Sequence, residues 1–191
     1  FGATKIPVTK RPLIQEISTS SSNNNNNNNN NDDEKEKKNE EEGREEEKLK
    51  EEYLDEMGDS SLQISKEAKD KAIEYKEKAA KAMTQLSDFR RAAILYGYAI
   101  YYSNGKSSIL FIKRAECLLE INKPLSARRD CTRAIDLNSD AGKAYLLRAK
   151  ANLKLNNLDD VHRDLIYVDE SQFKDEYTKV KKEYEEKKEN E

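Results

Sequence analysis

One arrangement of side chains returns at a period of about 34 residues. Phe111, Ala115, Ala127 and Ala134 are matched, 34 positions later, by Tyr145, Ala149, Val161 and Val168, and 35 positions earlier the small residues are matched by Ala80, Ala92 and Ala99. An aromatic followed by small residues at this period is the pattern of stacked helix pairs. No single pair can bury its apolar face alone, and small side chains let neighbouring helices approach closely enough to share one continuous core. The chain is therefore expected to be all-α.

Helical periodicity persists from about Ser65 almost to the end and predicts seven helices, at 66–85, 88–102, 107–121, 124–137, 141–155, 158–168 and 172–189. The punctuation agrees: SNGK at 103–106 makes a turn, Pro124 suits a first helical turn, and Ser139 and Asn157 sit where N-caps belong. Three repeats then span 73–106, 108–141 and 142–175, about the minimum that stacks into a stable superhelix. The final helix, QFKDEYTKVKKEYEEKKENE, is expected to cap the last repeat through Phe173, Tyr177, Val180 and Tyr184, spaced four, three and four apart.

The N-terminal third reads differently. Residues 1–31 form a Ser/Asn-rich segment with nine consecutive asparagines, which bury no apolar surface and predict disorder. Residues 32–64 read as a solvated, acidic charged linker, since 32–56 alone carry a net charge of −8 against +4 for 61–191. Residues 65–191 are the repeat domain with its charged C-terminal helix. An acidic arm on a mildly basic body argues against nucleic acid as a partner. No apolar run is long enough for a membrane span and no signal-peptide pattern opens the chain, so a soluble, cytoplasmic protein is expected; Phe1 in place of Met suggests a fragment. Cys117 and Cys131 are expected to be buried, reduced thiols.

Catalytic chemistry has little to rest on. His162 is the lone histidine, six glycines leave no phosphate-binding loop, and no Cys/His metal spacing occurs. A non-enzyme without cofactor or metal is expected, with function in a surface. In stacked helix pairs the first helix of each repeat lines the concave face. The candidates there are Glu77 and Lys81, then Ile112, Lys113, Glu116 and Glu120, then Lys143, Leu146, Leu147, Lys150 and Lys154. Of these, Lys81, Lys113, Lys143, Lys150, Lys154 and Glu116 are expected to contact a partner, with Ile112 and Leu146 as the apolar centre. Such a basic groove would suit an acidic protein surface.

The repeat pattern resembles the tetratricopeptide family, whose best-known cochaperones hold the acidic C-terminal tail of heat-shock chaperones with a carboxylate clamp. At the matching positions stand Glu77, Lys81, Lys113, Lys143 and Leu147, and only Lys143 keeps the family's residue. The stretch INKPLSARRDCTRAIDLN at 121–138 is similar to the second repeat of the Hip family of cochaperones; EMGD at 56–59 and KKEYEEKK at 181–188 match further. That resemblance implies a grip on the ATPase domain of the seventy-kilodalton heat-shock chaperone, holding it on ADP. A tail-capturing adaptor and a scaffold repeat in a larger assembly are the alternatives. Hip-like chains also carry a dimerisation segment and a Gly-Gly-Met-Pro tail, neither visible here, so a homodimer is expected only through segments outside this sequence.

Overall fold

The structure, a computed structural model, describes residues 51–190. A short 3-10 helix, Glu51–Asp55, precedes seven α-helices: α1 Lys66–Thr84, α2 Phe89–Tyr102, α3 Ser108–Glu120, α4 Pro124–Leu137, α5 Gly142–Lys154, α6 Leu158–Leu165 and α7 Lys174–Glu189. Local chemistry sets the helix ends. The Ser65 hydroxyl accepts from the Ala68 amide at 3.1 Å and the Asp88 carboxylate from the Arg91 amide at 3.0 Å, capping α1 and α2. Pro124 opens α4, where its missing amide is harmless.

The first helix of each repeat stops in the same way or its successor does. Asn104, Asn122 and Asn156 take φ of +50°, +55° and +58° directly after their helices. Each lets the following amide reach back five residues, Gly105 to Ile100, Lys123 to Leu118 and Asn157 to Asn152, at 2.8–2.9 Å. Asparagine is one of the few side chains that tolerates this left-handed turn.

The helices pair as α1 with α2, α3 with α4 and α5 with α6, and α7 packs on α5 and α6 as the expected cap. Ala115, Ala127, Ala134, Ala149 and Val161 are fully buried, as the period requires. The first repeat departs by one residue. Ala79, not Ala80, is fully buried and Ala82 nearly so, because the turn between α1 and α2 holds an extra residue, with Ser87 at φ +52°. α6 also ends at Leu165, short of 168: the amides of Tyr167 and Val168 turn back three residues, to Asp164 and Leu165, and tighten the chain out of the α-helix.

The larger correction concerns residues 51–64, expected as the end of a solvated linker. Tyr53 and Leu54 are 4% and 3% exposed and belong to the main core. The Tyr53 ring stacks on Tyr98 with centroids 3.8 Å apart, and its carbonyl oxygen accepts from Arg114 Nη1 at 3.0 Å. Further along this strap, Asp55 meets Ser126 and Arg129 of α4, and the Asn104 amide donates to the Gln63 carbonyl. The expectations for residues 1–50 lie outside the described residues.

Both cysteines are free and buried. Burial pushes the Cys117 thiol up to about 12 and Cys131 well above its ordinary range. Neither thiol is thiolate at neutral pH, so neither is expected to react with a thiol-specific disulfide reagent in the native protein. Both should be labelled within minutes in denaturant; rapid native labelling of either would contradict their burial.

Candidate partner-binding groove

The concave face is lined by α1, α3 and α5 with α7 added to their row, and the first residue of α2 joins them. It encloses a cleft of about 660 Å³. Its apolar floor is Met83 of α1, Phe89 of α2, Leu119 of α3, Leu147 of α5 and Val180 of α7. Around that floor stand Glu116 and Glu120 on α3, Lys143, Lys150 and Lys154 on α5, and Glu176, Lys179 and Glu183 on α7.

The expected basic groove is thus a balanced one, four lysines against four glutamates. The charges are arranged in stripes: acidic α3, basic α5, and α7 mainly acidic. Lys113 pairs with Glu116 at 2.9 Å within α3, and Lys143 lies 3.8 Å from Glu116 and 2.5 Å from Glu176. Lys150 holds the other oxygen of Glu176. Burial pushes the Glu176 carboxyl up, but hydrogen bonds from Lys143 and Lys150 outweigh it and hold the group below the ordinary carboxylate range. A depressed carboxylate means the contact is fully formed above about pH 4.3 and fades as pH falls through the folded value.

The sequence-predicted residues do not all meet here. Lys113, Glu116, Lys143, Lys150 and Lys154 share the face, the first through its pairing with Glu116 and the others by lining the cleft. Leu146 does not: it is fully buried in the core shared by α5, α6 and α7. Ile112 is half-buried against the main core and is not part of the cleft lining. Both stand three residues before a fully buried alanine, Ala149 and Ala115, and a three-residue step keeps a side chain on the same inward face. Leu147, one position on, is the leucine that faces the cleft. Lys81 is exposed on α1 and is not part of the cleft lining: it stands two positions before the cleft-lining Met83, a step that turns about 160° around the helix.

Glu176 and Glu183 are not among the sequence-predicted contacts, which all lie on α1, α3 and α5. Each stands one position before an apolar anchor, Tyr177 and Tyr184, so each flanks the docking stripe at the edge of the groove. That offset was available in the sequence.

Behind the groove, two arginine–aspartate pairs tie the helices of a repeat together. Arg114 holds Asp130 through two bonds of 2.7 Å, with both side chains fully buried. Arg148 holds Asp164 at 2.7 Å and is 22% exposed. The two pairs are related by the same 34-residue shift as the small residues. Among the described residues no group of three or more His, Cys, Asp or Glu could hold a metal ion, and no helix is long and apolar enough to cross a membrane.

No family model matches the chain. Over 60% of its length it superimposes on the second tetratricopeptide domain of human RPAP3, solved in complex with the HSP70 peptide SGPTIEEVD, with a TM-score of 0.53, 28% identity and 98% of that domain covered. The fold is the tetratricopeptide one. Among curated proteins, the chain is 34% identical over 109 residues to Hsc70-interacting protein 1 of Drosophila melanogaster, covering 57% of this chain and 28% of the relative. It is 32% identical over 103 residues to a 58 kDa phosphoprotein of Plasmodium berghei, covering 54% of this chain and 24% of the relative. The match thus spans about a quarter of the length of these curated relatives.

Proposed function

We propose that this tetratricopeptide domain is a cochaperone module that grips the ATPase domain of a seventy-kilodalton heat-shock chaperone through its concave groove and favours the ADP-bound state. One observation carries the choice of a folded domain over a free peptide tail. The Lys143–Lys150 pair is already occupied, because Glu176 bridges it, and Leu147, 3% exposed, stands where the tail-binding cochaperones place an arginine. A face with an apolar floor and interleaved charges suits a partner surface that carries its own mixed charges around an apolar patch. The similarity to an Hsc70-interacting protein supports the same partner. A module that binds the ADP-bound form more tightly than the nucleotide-free form must, by linkage, raise the affinity for ADP by the same factor.

Calorimetric titration tests this reading. The chain is expected to bind the isolated ATPase domain with ADP, and more weakly without it, while the peptide SGPTIEEVD gives little heat. Lys150→Glu and Lys113→Glu are each expected to weaken domain binding by roughly tenfold, since reversing a charge beside Glu176 or Glu116 leaves like charges facing each other. Binding of the peptide alone would favour the tail-capturing adaptor, and no binding of either would favour a scaffold role; both results overturn the proposal.

A further inference from the structure

The arrangement of Glu176 goes further than neutralising a groove. Its two carboxylate oxygens are used separately, one by Lys143 Nζ at 2.5 Å and the other by Lys150 Nζ. Those lysines are seven residues apart on α5, two turns along one face, so a single carboxylate set between them meets both. A peptide's terminal or side-chain carboxylate seeking this face would look for the same two cations.

Nor is Glu176 free to drift away. Val180, one turn further along α7, is 2% exposed in the core, and Tyr177 packs beside it. The far end of the helix is fastened by Lys187 Nζ, which donates to the Leu153 carbonyl at 2.8 Å. A group tethered this way competes at an effective concentration on the order of millimolar or above. Any external carboxylate binding Lys143 and Lys150 more weakly than that is excluded.

We propose that Glu176 is the residue that sets the ligand specificity of this groove: an internal carboxylate that closes the Lys143–Lys150 pair to free acidic peptides. Lys143 and Lys150 are competent anion-binding groups, and the groove refuses acidic tails because its own last helix has supplied one. This rests on the reading that the concave groove is the partner face, and on no particular partner.

The test uses the full chain, titrated with the peptide SGPTIEEVD. Glu176→Gln keeps the size and the helix and removes only the charge. It is expected to tighten peptide binding at least tenfold over the parent chain. Glu183→Gln removes a charge from the same helix and the same cleft, but Glu183 carries no bond to a groove lysine among the described residues, so it is expected to change little. The double variant Glu176→Gln, Lys150→Ala is expected to lose the gain. Unchanged peptide binding in Glu176→Gln overturns the proposal. So does an equal gain in Glu183→Gln, which would mean that overall charge is responsible. Thermal melts of each variant confirm folding, since Glu176 is on the surface. Failure of the parent chain to bind an ATPase domain would sink the partner assignment and leave this specificity result standing.

Discussion

Replacing Asp130 by alanine is expected to destabilise the domain by about 3–5 kcal/mol, a large share of the roughly 5–15 kcal/mol that holds a small domain folded. Asp130 and Arg114 are both 0% exposed. The guanidinium spends its other contacts on the Tyr53 carbonyl and the Met57 sulfur, neither of which carries a countercharge. Without Asp130 the full guanidinium charge would be left without a counterion in an apolar interior. Burial pushes the Asp130 carboxyl up and outweighs the opposing pull of Arg114, the mark of a pair whose desolvation costs more than its attraction returns. The double variant Arg114→Met, Asp130→Leu should therefore recover much of the loss, even though it gives up the bond to Tyr53. Urea denaturation of the two single variants and the double measures this directly. Asp164→Ala supplies the comparison: Arg148 is 22% exposed, water can reach it, and the penalty should be smaller. A loss below about 1 kcal/mol for Asp130→Ala would mean that Arg114 finds water after all.

These pairs also show what the sequence could disclose. The period that located Ala115 and Ala149 relates Arg114 to Arg148, Asp130 to Asp164 and Asn122 to Asn156 by the same shift, so the buried pairs and the helix-ending turns were legible beside the small residues. Where a turn changed length the register slipped. The extra residue before α2 moved the buried position from Ala80 to Ala79. Leu146 and Leu147 are neighbours of one kind, and only the three-residue step to Ala149 decides which turns inward.

Charge balance in the groove was harder to read, because it depends on which helix comes to lie beside which. Composition placed a mildly basic body after an acidic arm, and the α5 lysines agreed. The docking of α7 evens out that balance, because its apolar anchors carry Glu176 and Glu183 to the edge of the groove. Tyr53 and Leu54 pose the opposite problem. Two apolar residues inside an acidic run give no periodic signal, and their burial depends on a gap in α2 more than forty positions away.

That gap is Gly97, and filling it is expected to unseat the strap. A Cβ built on Gly97 would lie 1.9 Å from the Tyr53 carbonyl oxygen and 2.7 Å from its carbonyl carbon. Both are backbone atoms with no rotamer to move into, so the 3-10 helix must lift off. In an exposed helix, Gly→Ala would stabilise by about 1 kcal/mol. Here that gain is opposed by re-exposing Tyr53 and Leu54, each worth about 1.5–3 kcal/mol when buried, and by leaving Arg114 without the Tyr53 carbonyl. Gly97→Ala should therefore lower stability by about 2–4 kcal/mol and make residues 51–64 an early site of limited proteolysis. Gly142→Ala serves as the control: its nearest neighbour would be a Phe173 ring carbon at 3.3 Å, a side chain that can give, so little change is expected. If Gly97→Ala proved more stable than the parent, with the strap still protected from protease, the seat of Tyr53 on α2 would be wrong, and the buried arginine would need another acceptor.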